Sequence, residues 1–253
     1  MDIIQLTPDN IAREHICCVI ADKKGETCVS SKKAWMSARF ADGLVFKRLD
    51  ARGKVFIEYI PAEKAWCPIH ADDYMHINCF WVSGQFKGQG YGHRLLEECI
   101  EDAKAKGKHG LTVLASTKKQ PFLSDGAYLK KKGFRVADRA SPYFELLYLP
   151  FHADAPLPRF RETAKPGRMD DTQGIVLYYT NQCPYTDKYA PIIRDLAVER
   201  GIPCRLVKLE SAEEAHMCPS PFTTYSLFYN DSFVTHEILT EKKFLSFLAD
   251  VSL

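Results

Sequence analysis

Apolar positions along the chain change period several times, and each change marks an element. LVFKRLD (44–50) and KVFIEYIP (54–61) flank Ala51-Arg52-Gly53 and predict an antiparallel hairpin. Upstream, IIQLT (3–7) predicts a strand, Pro8 to Ala21 a helix capped by Thr7, and Ser31 to Phe40 a second helix. Tyr74 to Val82 predicts a further strand. From about Gly90 to Lys106, Leu95, Leu96, Cys99, Ile100 and Ala103 recur at helical spacing and make one apolar face. LTVLAS (111–116) has the unbroken apolarity of a short buried strand. Ser124 to Lys132 follows as a short helix capped by Ser124, then FRVAD (134–138) and YFELLYLPF (143–151) as two strands. The predicted order is β-α-α-β-β-β-α-β-α-β-β.

That pattern stops at HADAPLPRFRETAKPGRMDDT, which carries three prolines, several charges and little apolar periodicity, as a linker does. Beyond it, GIVLYYT, Pro184 to Glu199, CRLVKL, a short helix near Glu213, TTYSLFY, SFVTHE and Glu241 to Asp250 predict β-α-β-α-β-β-α, with a hairpin turn over Tyr229 to Phe233. Two domains are therefore expected, 1–152 and 173–253, joined by a linker over 153–172.

Composition narrows the function. With 253 residues, 46% of them hydrophobic, 26% charged and a net charge of +2, the chain is of ordinary globular type. Near-neutrality argues against a dedicated nucleic-acid or membrane-surface binder, and no apolar stretch approaches the length of a membrane-spanning helix. The nine cysteines are odd in number and scattered, without a CxxC pair or a signal peptide, so reduced thiols and a cytoplasmic location are expected. Cys17-Cys18 sits in an apolar pattern where small buried hydrophobes are the common explanation. The eight histidines are dispersed, so no metal is expected.

One stretch carries chemistry. FWVSGQFKGQGYGHRLL (80–96) places Gly88, Gly90 and Gly92 between an apolar strand and a helix. Such a turn aims backbone N–H groups and the positive helix terminus at one point. Alternate glycines let an anion approach the main chain, with Lys87, His93 and Arg94 around it. The spacing is GxGxG, not the GxGxxG of a dinucleotide fold, and a P-loop is absent.

Lys87-Gly88-Gln89-Gly90-Tyr91-Gly92 resembles motif A of the GNAT family of acetyl-CoA-dependent N-acetyltransferases, with Lys at the position usual for Gln or Arg. Gln85-Phe86-Lys87-Gly88-Gln89-Gly90 fits in a shifted register. The resemblance spans roughly residues 1–150, including the element order, and implies an α/β (α+β) GNAT fold with a mixed, mostly antiparallel sheet. It further implies that the N–H groups of Gln89 to Gly92 hold the pyrophosphate of acetyl-CoA as cosubstrate, and that the main chain of Phe80, Trp81 and Val82 pairs with the pantetheine arm. Basic side chains would meet the 3′-phosphate. The reaction implied is direct acetyl transfer to a primary amine of a small-molecule or peptide acceptor.

The family often protonates the leaving thiolate with a Tyr four residues before a Gly-Phe, and often has an Asn at the start of the same helix. Here Gly133-Phe134 is present, Leu129 holds the Tyr position, Tyr128 is one residue away and Phe122 stands where Asn would be. One residue is about 100° around a helix, so Tyr128 is a displaced candidate, with Asp125 and Tyr143 as alternatives. Glu58 and His76 are candidate bases, His76 having the better ordinary pKa. Lys130 to Lys132 most simply form a solvated helix end.

In the C-terminal part, Cys183-Pro184-Tyr185-Thr186 joins a strand to a helix and resembles the CPYC turn of glutaredoxins, with Thr186 replacing the second cysteine. This implies a smaller thioredoxin-like domain in which a helix terminus activates Cys183. Ser220-Pro221 falls where that fold usually carries a cis-proline. The pairing of the two parts resembles the bacterial YoaP-like acetyltransferases. Two rival readings follow from single residues: a thiol-dependent redox or thioltransferase protein using Cys183, with Cys204 and Cys218 as conceivable resolving thiols, and a non-catalytic acyl-CoA sensor, suggested by the displaced Tyr128.

Overall fold

The computed structural model describes residues 1–16, 19–170 and 172–251. Along the chain these form β1 (Ile3–Leu6), α1 (Cys28–Arg39), β2 (Val45–Leu49), β3 (Val55–Pro61), β4 (Ile69–His70), β5 (Tyr74–Val82), α2 (Tyr91–Ala105), β6 (Gly110–Ser116), α3 (Gly126–Lys131), β7 (Arg135–Ala140) and β8 (Phe144–Pro150). Then follow β9 (Arg159–Phe160), β10 (Ile175–Tyr179), α4 (Pro184–Val198), β11 (Cys204–Lys208), α5 (Ala212–His216), β12 (Tyr225–Tyr229), β13 (Ser232–Thr235) and α6 (Glu241–Val251).

The larger sheet has seven strands in the order β1-β2-β3-β5-β6-β8-β7. All its pairs are antiparallel except β5 with β6, whose connection through α2 permits the parallel arrangement. Strand alternation sorts its side chains into two cores. Val55, Ile57, Tyr59, Met75 and Ile77 pack beneath Leu95, Leu96, Cys99 and Ala103 of α2. Phe46, Phe56, Ile60 and Tyr74 face the other way, into a cluster with Trp35 and Met36 of α1 and with Leu209, Ala215 and Cys218 from the C-terminal part. The smaller sheet runs β11-β10-β12-β13, with β10 and β11 parallel and the remaining pairs antiparallel. Residues 190, 193, 197, 244 and 248 of α4 and α6 cover one face of it. Asn230 and Asp231 both lie in the left-handed region, as the tight β12–β13 hairpin requires.

Strands β5 and β6 pair only from Tyr74–Ile77 and Gly110–Val113. Farther on, β6 stays with β8 through Ser116, while β5 follows β3 to Val82. The β3–β5 register slips at Glu58/Tyr59, leaving Asn78 as an extra residue, and a bulge of this kind bends the strand that carries it. The two strands therefore part toward their C-terminal ends.

Two expectations need correction. Residues 8–14 form turns and no α-helix: Ile11 N and Glu14 N each reach the carbonyl four residues back, at Thr7 O and Asn10 O, but the turns do not join into a continuous ladder. Cys17-Cys18 lies outside the described residues. The short helix α3 is capped by Asp125, whose carboxylate accepts from Tyr128 N, rather than by Ser124. The segment over 153–172, expected as a linker, is anchored at two points. Its Arg159–Phe160 pairs with Ile69–His70, Phe160 and Ala164 are fully buried, and Asp138 accepts from Phe160 N at 2.9 Å. Two short buried anchors leave no periodicity to read.

Candidate active site

At the end of β5 the chain turns through Gly88 and Gly90, whose φ angles of 77° and 83° suit glycine, and enters α2 at Tyr91. A Cβ on either glycine would meet nothing within 4 Å, so the turn borders open space. That space is a cleft of about 790 Å³. Phe80, Trp81 and Val82 line it from β5; Lys87, Gly88 and Gly90 from the turn; and Tyr91, Gly92 and His93 from the first turn of α2. Gln89 does not line it, and its side chain turns back to Gln85 O. A helix start thus opens onto a cleft large enough for an extended ligand, and its first N–H groups have no intrahelical acceptor. His93 is exposed, with its Nε2 3.0 Å from Glu97 Oε1.

The opposite wall comes from 119–132. Lys119, Asp125, Tyr128 and Lys132 all line the cleft. Asp125 sets the phase of α3: Leu129 packs into the core with no exposure, at the inner wall of the cleft, and Tyr128, one residue back, stands at the cleft with its hydroxyl. The Tyr128 ring packs on Phe80 with centroids 5.9 Å apart, and its hydroxyl lies 3.4 Å from where a Cβ on Gly92 would be. That hydroxyl is buried and has no hydrogen-bond partner among the described residues. Burial, reinforced by the Glu97 charge, raises its pKa, so it keeps its proton at neutral pH. Asp125 is the opposite case. Its backbone bond from Tyr128 and the Lys119 ammonium hold it below the usual carboxylate range, so it is no proton donor. Tyr143 is committed elsewhere, its hydroxyl 2.7 Å from His236 Nδ1. Lysines 119 and 132 and the wall they occupy were missed in the sequence, where Lys132 reads as part of a solvated helix end.

Glu58 and His76 do not line the cleft. Both are buried on the sheet face turned away from α2. Lys32 Nζ, itself 2% exposed, donates to Glu58 Oε2 at 2.6 Å, and Asn78 Nδ2 donates to Oε1 at 3.1 Å. Nothing in the sequence pairs Lys32 with Glu58, because they meet only when α1 packs on β3. His76 Nδ1 lies 3.0 Å from Thr112 Oγ1, and burial pushes its pKa down to about 4. Its ring is therefore neutral at pH 7. His76 and Asn78 line a small cavity of about 30 Å³ shared with the C-terminal part.

A family model described as the acetyltransferase (GNAT) family matches residues 16–134, and one described as YoaP-like matches 203–245. The chain is 44% identical to the "Uncharacterized N-acetyltransferase YoaP" of Bacillus subtilis (strain 168) over 244 residues, covering 96% of this chain and 97% of that one. The chain belongs to the YoaP-like GNAT acetyltransferases. It is an acyltransferase of that family. Solved structures similar to this YoaP-like chain include a GNAT acetyltransferase from Brucella melitensis in complex with acetyl-CoA, 16% identical, covering 64% of this chain and 96% of that one, TM-score 0.39. Another is the PaiA N-acetyltransferase from Thermoplasma acidophilum in complex with coenzyme A, 16% identical, covering 60% and 100%, TM-score 0.40.

In the C-terminal part, Cys183 precedes α4 and Thr186 is fully buried, its hydroxyl directed at the carbonyls of Thr180 and Cys183. Cys183 lines neither the cleft nor the small cavity, although Gln182 reaches the cavity. Burial pushes Cys204 up to about 11 and Cys218 up to about 12, so both are thiols at neutral pH. The cis peptide among the described residues is Ser141–Pro142, which corrects the expectation for Ser220–Pro221. Ser220 is fully buried and bonded to Ser226 Oγ at 2.7 Å. Among the described residues, no helix is long and apolar enough to cross a membrane.

Proposed function

We propose that this acyltransferase moves an acetyl group from acetyl-CoA directly to a primary amine, in a unit formed by residues 1–152 that is followed by a connecting segment (153–172) and a thioredoxin-like unit (173–253). The observation that carries the reading is the open cleft onto which the glycine turn, the start of α2, the end of β5 and the protonated Tyr128 all converge. The free N–H groups at Gln89 to Gly92 receive the pyrophosphate, with Lys87, Lys119 and Lys132 supplying positive charge. The main chain of Phe80 to Val82 lies where β5 has parted from β6 and pairs with the pantetheine arm.

In the reaction the amine lone pair attacks the thioester carbonyl, a C–N bond forms and the C–S bond breaks. The attacking nitrogen gives up a proton to solvent and Tyr128 gives one to the departing sulfur, since His76, buried off the cleft with its pKa down to about 4, is a poor base at neutral pH. Glu58, held by Lys32, orients the Asn78 amide beside His76 and acts by positioning. The thioredoxin-like reading of 173–253 is supported by the strand order β11-β10-β12-β13, the single parallel pair and the cysteine ahead of α4. Calorimetric titration with acetyl-CoA tests the proposal: saturable binding supports it, and absence of binding at millimolar ligand refutes it.

A further inference from the structure

We propose that the acceptor amine enters a cavity built jointly by the two units, and that this cavity selects a primary amino group on a slim, unbranched arm with no acidic group beside it. The proposal rests on the acetyltransferase reading. The cavity, about 30 Å³, lies between the sheet face bearing His76 and Asn78 and the C-terminal residues Gln182 and 221–224. Leu123 of the 119–125 partition lines both this cavity and the cleft proposed for acetyl-CoA, so the two spaces meet at that side chain, and the attacking nitrogen passes it to reach the thioester.

Size and chemistry restrict the occupant. A volume of that order admits a water or two, or an amino group with its first methylene, and leaves no room for a branch next to nitrogen. Asn78, Ser124, Gln182 and Thr223 offer neutral polar atoms, Trp66 and Phe222 offer rings, and no Lys, Arg, Asp or Glu lines the space. A carboxylate or phosphate next to the amine would lose its hydration there without gaining a cation.

The second unit sets the dimensions. His236 Nε2 lies 2.8 Å from Pro121 O, which can only accept, so Nε2 carries the proton and Nδ1 accepts from the Tyr143 hydroxyl at 2.7 Å. That bond holds the partition at Pro121, next to Phe122, whose φ of 61° is rare for an aromatic residue and whose side chain lines the cavity. Across the cavity, Gln182 Nε2 donates to Thr223 Oγ1 at 3.4 Å, and Thr223 donates to Trp66 O.

The test uses the full chain and measures CoA-thiol release with n-butylamine and cadaverine, against tert-butylamine, glycine and glutamate, together with acetyl-CoA binding by calorimetry. The expected result is turnover of the unbranched amines with kcat/KM at least about tenfold above the other three. Gln182→Trp, which fills the cavity from the second unit, should raise the KM for n-butylamine at least about tenfold and leave acetyl-CoA affinity within about twofold. Gln182→Ala should raise kcat/KM for tert-butylamine. If acetyl-CoA does not bind the wild type, the acetyltransferase reading falls and takes the cavity with it. If it binds but neither variant shifts acceptor kinetics, or branched or acidic amines serve as well, or no unbranched amine serves, the cavity proposal alone is overturned.

Discussion

Replacing Tyr128 by phenylalanine removes one oxygen, and the surroundings of that oxygen set two opposite expectations. The Tyr128 hydroxyl is buried with no hydrogen-bond partner among the described residues, and a hydroxyl in that state costs about 1–3 kcal/mol of stability. The ring's contacts with Phe80 and the Lys132 ammonium survive the change. Tyr128→Phe should therefore unfold at the same temperature as the wild type or a few degrees higher, since 1 kcal/mol corresponds to about 2–4 °C in a chain of this size. Activity should move the other way. Loss of a positioned proton donor costs about 10²–10⁴ in rate, or about 3–5 kcal/mol of barrier. Acetyl-CoA affinity should hold, because the hydroxyl acts on the leaving sulfur. The assay pairs thermal unfolding with CoA-thiol release at saturating acetyl-CoA and n-butylamine. A Tyr128→Phe protein that keeps wild-type turnover, or that loses more than about 1 kcal/mol of stability, would refute the reasoning, since either result makes Tyr128 a packing residue.

Glu58→Gln leaves Lys32 charged, buried and without its carboxylate, and should cost about 3–5 kcal/mol in urea unfolding; adding Lys32→Met should recover most of it. His76 has a folded pKa of about 4, below the 6.5 of an ordinary histidine, so the unfolded chain takes up a proton first as pH falls. Its contribution is complete above pH 6.5 and is lost between 6.5 and about 4, to an extent of about 3 kcal/mol, and His76→Gln should flatten the stability profile in that window. Gly92→Val puts a branched side chain against the Tyr128 hydroxyl, Val82 and Phe80 without a left-handed φ to strain, so acetyl-CoA affinity should fall by at least about tenfold with the unfolding temperature little changed.

Most strands and the longer helices were legible because burial imposes a period on the residues that share a face. β5 was read at Tyr74–Val82 and α2 to within a residue at each end, and the hairpin of β2 and β3 lies where the two apolar runs place it. Residues 8–14 were misread because their isolated turns carry the cap and first apolar positions of a helix start without the continuous ladder, and periodicity does not register where a ladder stops. The strap at 159–160 was missed because one buried phenylalanine is not a pattern.

The glycine turn and its place between a strand and a helix follow from sequence alone, since backbone freedom and helix polarity are local properties. Which side chains surround it does not follow. Tyr128 faces the cleft only because Asp125 starts α3 where it does and the core takes Leu129, and Glu58 is tied to Lys32 only because α1 packs across β3. The cavity at His76 needs residues about a hundred positions or more apart in the chain, brought together when the smaller sheet docks on the larger one. Local sequence determined the glycine turn proposed to meet acetyl-CoA; the proposed acid and acceptor pocket were decided by tertiary packing, because each depends on where a side chain from one element ends against the surface of another.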